Sequence, residues 1–400
     1  MIRALAVLTV ALAGCAQPPD LAPVAASFAP GPAGDRDSRI DGGLAGTAFG
    51  VQVADAIRTQ PDLARADARL RVARAEVRGS EGAFLPTASL GAEASARSRD
   101  GEEDSGLSPF LRVSQLVYDG GLSRARTSAA QARVFEARGV RLGTASASAL
   151  RAVEAHVAVR SRRDLLALAR SDLDVHEGFL AQIAERVESG AGVRSDLLTA
   201  QARKADARTR AVEATSRLDR AEAEYREIFG TAPGALPPAP PAPALPLDAA
   251  DVVARSPRIL AADASVAAAR AELSAALAQR LPRVEAGATG SRLPGGGSDV
   301  AVDVQVAYSI DSAGERRAAV DAARARVDAR RSDRDALARE IRRQLDIVRS
   351  DQRAGAARLA AAREAARTNA RTVAAAREEF TVGRRSLLDL LDAQRDFVAA

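Results

Sequence analysis

The sequence predicts an α+β membrane protein in which a long α-helical coiled-coil barrel joins a transmembrane β-barrel, each chain supplying four strands. Three observations point there. The body is one pattern written twice, each copy holds a proline-free stretch too long for a compact domain, and each copy carries two alternating segments of about ten residues. Composition excludes much else. The 400 residues are 47% hydrophobic, 27% charged and 3% aromatic, and their single cysteine rules out a disulfide framework or a cysteine-based zinc site. Outside the N-terminus no apolar run approaches the ~18–20 residues of a membrane-spanning helix. The net charge of +5 first suggests nucleic acid, but the 57 bases are interspersed with 52 acids and form no cluster, so no nucleic-acid partner is expected.

Met1-Ile2-Arg3 is a short positive start, and the apolar segment Ala4 to Ala13 is too short for a stop-transfer helix. Residues 1–14 therefore read as a bacterial secretory signal. The segment ends in Leu12-Ala13-Gly14-Cys15, which resembles the lipobox of bacterial lipoproteins. That resemblance implies cleavage before Cys15 and diacylation of its thiol, and two acyl chains make a durable anchor in outer-membrane lipid. An ordinary signal peptide with a chance cysteine, or an unprocessed helix, is the alternative. Ala16 in place of Asp favours, by the same resemblance, sorting to the outer membrane. Residues 15–48, rich in Pro, Gly and Ala, read as a lipidated extended tether.

Repetition sets the domain plan. Gln60-Pro61-Asp62-Leu63-Ala64 matches Ser256-Pro257-Arg258-Ile259-Leu260 at an offset of 196 residues, as do Leu85-Pro86 with Leu281-Pro282 and Gly91 with Gly287. Further along the offset is 193, aligning Gly190, Asp196, Leu197 and Gln201 with Gly383, Asp389, Leu390 and Gln394. A shorter loop between the strands of the second copy explains the change. Repeat 1 is assigned to residues 49–230 and repeat 2 to 248–400, divided by a linker at 231–247 whose seven prolines forbid helix or central strand. By the 193 offset the last helix is expected to reach about residue 423, so the 400 residues are expected to end within it.

Each repeat reads helix, strand, strand, long helix, long helix. Pro61 and Pro257 suit the first turn of a helix, and Leu85-Pro86 and Leu281-Pro282 end those helices and start strands. Val300, Val302, Val304, Val306 and Tyr308 alternate with polar positions that include Asp303 and Gln305. Leu90, Ala92, Ala94 and Ala96 alternate with Ser89, Glu93, Ser95 and Arg97 in the same way. Strands are expected at 86–97, 109–118, 282–292 and 299–310, each about the length of a tilted transmembrane strand. A small soluble pair of hairpins covered by helices is the alternative. From Gly121 to Gly230 and from Gly295 to Ala400 there is no proline. Leu150, Val153, Val157, Leu165, Leu168, Val175, Phe179, Ile183 and Val187 form one heptad-like seam there. Four strands cannot close a barrel, and open edges in lipid leave backbone groups without partners. Three chains would give twelve strands around a channel, so a homotrimer is expected.

This duplicated order, the Phe84-Leu85-Pro86 strand entry, and the turns between the long helices resemble the TolC-like outer-membrane efflux protein family from about residue 51 onward. The segment Phe380-Thr381-Val382-Gly383-Arg384-Arg385-Ser386-Leu387-Leu388-Asp389-Leu390-Leu391-Asp392-Ala393 is similar to that family's second turn. The first turn, Val187-Glu188-Ser189-Gly190 to Asp196, keeps the Gly and Asp but replaces the aromatic and the Ser/Thr. The resemblance implies a passive outer-membrane tunnel of an efflux or type I secretion system in a Gram-negative bacterium. It would dock to a periplasmic adaptor and an inner-membrane transporter.

Read as residues, Gly190 and Gly383 permit positive φ at helix reversals, and Ser195 or Asp196 and Ser386 or Asp389 are expected to cap the helices that follow. The resemblance adds two roles. Gly190, Val382, Gly383 and Ser386 fall at adaptor-docking positions. Arg385 falls on the gating arginine, Ser195 and Asp196 on its polar partners, and Asp389 and Asp392 on an acidic ring. The alternative for Asp389 and Asp392 is a solvated helix face. Phe380 stands where the family can carry Tyr, so a hydroxyl link is lost. His156 and His176 are isolated, Gly295-Gly296-Gly297 reads as a turn, and no Ser-His-Asp or Cys-His set is evident, so neither metal, cofactor nor enzymatic activity is expected. The competing readings are a periplasmic adaptor lipoprotein, which has one hairpin flanked by β-domains, and a structural coiled-coil envelope lipoprotein, which has no use for four alternating strands.

Overall fold

The computed structural model describes residues 18–28, 47–99, 102–238, 244–245, 248–292, 297–311 and 313–400; the signal segment, Cys15, most of the tether and the middle of the linker lie outside them. The described elements are α1 (Ala22–Ser27), α2 (Ala48–Thr59), α3 (Pro61–Glu81), a 3-10 turn (Gly82–Phe84), β1 (Thr87–Arg99) and β2 (Glu102–Tyr118), followed by α4 (Leu122–Glu188) and α5 (Arg194–Phe229). The second copy comprises α6 (Ala249–Arg255), α7 (Pro257–Ala278), β3 (Arg283–Arg292), β4 (Ser298–Ala307), α8 (Glu315–Thr381) and α9 (Leu387–Ala399). Each copy opens with a short helix that sequence patterning did not separate. α2 and α6 stop at the residue before a proline, because proline drives its predecessor out of the helical region; Gln60 and Ser256 accordingly have ψ 128° and 124°. Each stretch free of proline contains one unbroken helix of 67 residues, α4 in the first copy and α8 in the second. Among the described residues no helix is long and apolar enough to cross a membrane.

The chain divides into two units. One takes in α1, α3, the four strands, residues 122–144 of α4, α6, α7 and residues 315–341 of α8. Its strands form one antiparallel sheet in the order β1-β2-β3-β4. β2 starts at Glu102, well before the expected 109, because the acidic residues 102–104 hide the alternation that sequence reading depends on. β4 ends at Ala307, which leaves Tyr308 beyond the strand. The register decides what each face carries. Leu90, Leu111, Gly290 and Val300 lie in one row, and Ala88, Val113, Ala288 and Val302 in the next, with Ala286 and Val304 beyond. The opposite face carries Thr87, Ser114, Gly287 and Asp303, then Ser89, Arg112 and Thr289, with Glu285 and Gln305. One side of the sheet is therefore apolar and the other polar. The repeated glycines lie on the polar side: a Cβ at Gly91 would come within 2.6 Å of the Phe110 ring, and one at Gly287 within 3.0 Å of the Asp303 carboxylate. A small core of Val253, Ile259, Ala338 and Ile341 and a second of Ala132, Ala267 and Ala268 hold the helices of this unit.

The other unit takes in α2, residues 145–188 of α4, α5, residues 342–381 of α8, and α9. Here the single seam expected along α4 divides. Val153 packs against Phe49, Val53 and Ala56, while Val175 and Val187 pack around Phe179 and Ile183. Leu150, Val157, Leu165 and Leu168 instead remain exposed, between 39% and 58%. An α-helix drifts about 20° per heptad against a strict seven-residue repeat, so a seam this long cannot keep one neighbour. The start of the linker is seated rather than loose. His156 Nε2 lies 2.9 Å from the Pro237 carbonyl, and Arg163 donates to the carbonyls of Pro233 and Gly234, each at 2.7 Å.

Candidate functional site at the helix turns

The two long helices end with the same geometry. At the end of α4, Gly190 has φ 78°, the Ala191 N–H donates to the Arg186 carbonyl at 2.9 Å, and the Gly190 N–H donates to Val187 at 3.2 Å. At the end of α8, Gly383 has φ 74°, the Arg384 N–H donates to Glu379 at 2.8 Å, and the Gly383 N–H donates to Phe380 at 3.1 Å. Both are Schellman closures, which need a left-handed residue and so select glycine.

The helices that leave these turns start differently. Ser386 is the N-cap of α9: its hydroxyl accepts from the Asp389 N–H at 3.2 Å and donates to the Asp389 carboxylate at 2.7 Å. The N-cap of α5 is Val193, with no side-chain bond, so the expected cap by Ser195 or Asp196 is corrected. Both sit inside the first turn, past the position from which a side chain reaches the free N–H groups. Asp196 there still lies at the positive end of the helix dipole.

Beneath the turns one core joins four helices: Phe179 and Ile183 of α4, Ala200 of α5, Ala376 of α8, and Leu387, Leu390 and Leu391 of α9. It is braced by a buried carboxylate that sequence reading missed. Asp172 accepts from Arg210 of α5 at 2.8 Å and from Gln394 of α9 at 3.1 Å, and its side chain is 2% exposed. His176 lies 3.6 Å from Asp172, and burial pushes its pKa below the usual 6.5, against the pull of that carboxylate. Nothing in the spacing of Asp172 distinguishes it from the exposed acids of the same helix.

The site residues read from the sequence are distributed as follows. Gly190, Ser195 and Asp196 lie on the α4–α5 turn; Val382, Gly383, Arg385, Ser386, Asp389 and Asp392 lie on the α8–α9 turn and its helix. Val382 is 69% exposed. Within one chain Arg385 pairs with Glu379 at 3.2 Å rather than with Ser195 or Asp196. Asp392 pairs with Arg395 at 3.2 Å and reaches Arg203 of α5 at 4.0 Å. A second residue escaped sequence reading: Arg186 of α4 lies over the Phe380 ring, its guanidinium 4.5 Å from the ring centre. Among the described residues no cluster of three or more His, Cys, Asp or Glu could hold a metal.

Comparison with known proteins agrees with this architecture. A family model described as "Outer membrane efflux protein" matches residues 53–231 and 250–400. The chain is 27% identical over 300 residues to the outer membrane efflux protein BepC of Brucella suis, a match covering 72% of this chain and 66% of that protein. The chain thus spans just under two thirds of that relative's length. Among solved structures, a membrane protein from Pseudomonas aeruginosa superposes with a TM-score of 0.81 at 20% identity, covering 96% of this chain and 93% of the other. The outer membrane protein VceC of Vibrio cholerae superposes with a TM-score of 0.77 at 17% identity, covering 88% and 90%. At these identities the structures speak for the fold.

Proposed function

The chain belongs to the outer membrane efflux protein family, the outer-membrane channels of tripartite efflux systems, and from that premise we propose that it is the passive exit duct of an efflux or type I secretion assembly. It resides in the outer membrane of a Gram-negative bacterium. The observation that carries the proposal is the two-faced sheet. An apolar face that includes Leu90 at 82%, Val300 at 77% and Val302 at 79% exposure is suited to lipid, and a face of Ser, Thr, Asp and Arg is suited to a water-filled lumen. Edge strands β1 and β4 each need a neighbour, which second and third copies supply in a twelve-stranded barrel. The exposed apolar set Leu150, Val157, Leu165 and Leu168 clusters on one side of α4 and supports contact between copies of the helical part. An adaptor or a coiled-coil tether would leave the sheet without a purpose.

In this reading Cys15 carries the lipid, and the tips at Gly190, Val382, Gly383 and Ser386 meet a periplasmic adaptor that links the duct to an inner-membrane transporter. Arg385 closes the entrance against Ser195 and Asp196 of a neighbouring copy, while Asp389 and Asp392 ring the opening. The test is conductance of the purified full chain in planar bilayers. Heat-modifiable trimers whose conductance rises in Arg385→Ala support the duct and its gate. A monomer without conductance sinks the duct, and unchanged conductance in both Arg385→Ala and Asp196→Ala sinks the gate assignment.

A further inference from the structure

The two turns obey the same closing geometry, yet their last helical turns are not equivalent in charge. The final turn of α4 contains a base, Arg186, whereas the final turn of α8 contains none. At the 193-residue offset the counterpart of Arg186 is Glu379. α8 thus ends with carbonyls at the negative pole of its dipole and no cation of its own on that turn. Arg186 fills the gap from the other helix. Its Nη2 donates toward the Phe380 carbonyl at 3.4 Å and the Thr381 carbonyl at 3.3 Å, and its guanidinium covers the Phe380 ring. Glu379, in the equivalent place, turns away to Arg385.

From this arrangement we infer that Arg186 is a latch residue of the entrance, tying the end of α4 to the end of α8 within each chain. The inference rests on the reading of these turns as the gate. Three groups meet at one guanidinium: the Phe380 carbonyl, which also accepts from the Gly383 N–H, the Thr381 carbonyl at the end of α8, and an aromatic face. A planar guanidinium can serve both carbonyls from one nitrogen while stacking on a ring, a combination a lysine ammonium cannot reproduce. The latch is half-buried, and Phe380 packs on the core of Phe179, Ile183 and Leu390, so its position is set from below. Separation of the α8–α9 turn from α4 must break the carbonyl bonds and the ring contact together. The Arg385–Glu379 pair, by contrast, lies within one turn and survives such a motion.

The test is single-channel recording of the full-length trimer carrying Arg186→Ala, Arg186→Lys, Phe380→Leu and, as reference, Arg385→Ala. Open probability is expected to rise about fivefold or more in Arg186→Ala, since a cation–π contact and a helix-terminal cation are lost together. Arg186→Lys should recover part of the closure through its charge alone. Phe380→Leu should open the channel to an intermediate degree while leaving the carbonyl bonds. Heat-modifiable migration identifies any variant that fails to assemble, and Phe380→Leu keeps the question open to refutation if Arg186→Ala is lost that way. Wild-type open probability in both Arg186→Ala and Phe380→Leu, with Arg385→Ala still raised, overturns the latch and spares the gate. Wild-type behaviour in all four overturns the gate reading itself.

Discussion

Replacing Val302 with arginine separates a lipid-facing sheet from any other use of these strands. β4 has 10 residues, and at about 3.3 Å each with a tilt near 45° they rise roughly 23 Å, close to the ~25 Å apolar band of an outer-membrane barrel. Val302 is in the middle of that strand, between Val300 and Val304 on the apolar face, and 79% exposed. An arginine on the lipid face at mid-depth costs about 2–4 kcal/mol in each chain, a factor of roughly 30 to several hundred in the folding equilibrium. The neighbouring position supplies the control. Asp303 projects from the polar face beside Gly287, whose missing side chain leaves room, so Asp303→Arg should shift stability by no more than about 0.5 kcal/mol. The assay is urea titration of protein refolded into phosphatidylcholine vesicles, followed by heat-modifiable migration. Equal midpoints for the two variants, or a larger loss with Asp303→Arg, would refute the assignment of the faces.

Two further outcomes concern the turns and their support. Gly190→Ala and Gly383→Ala meet no atom within 4 Å, so each should cost only the strain of a left-handed alanine, about 1 kcal/mol, seen as a lower Tm with the fold retained. The second outcome is a pH dependence. His176 has its pKa lowered first by burial, with Arg210 and Arg203 adding to the effect and Asp172 and Asp206 opposing it. Between that lowered value and the ordinary 6.5 the unfolded chain binds more protons, so stability rises with pH. Acidification below about 6.5 should therefore destabilise the helical unit, and His176→Gln should flatten the slope of Tm against pH in that window. An unchanged slope would show that other groups carry it.

Much of this molecule was legible because its signals are local or repeated. Proline positions bounded α3 and α7, period-two runs located the strands, and Gly190 and Gly383 announced the turns through the one backbone region that glycine enters freely. Legibility failed where a signal needed a partner. Glu102 to Asp104 looked unlike a strand because their pairing with β1 is a contact across a hairpin, not a pattern within the segment. Ser195 and Asp196 looked like caps because composition does not reveal which residue first leaves the helical region.

The sequence by itself determined the duplicated plan, the element order and the two chemistries of the sheet, since each follows from periodicity along the chain. Only the tertiary structure decided which acid is buried and which base is shared. Asp172 and Arg186 are ordinary charged residues on a long helix until Gln394 and Phe380, some two hundred positions away, are brought against them. Their energies come from desolvation and from the carbonyls at a neighbouring helix's end, quantities that exist only after the helices have packed.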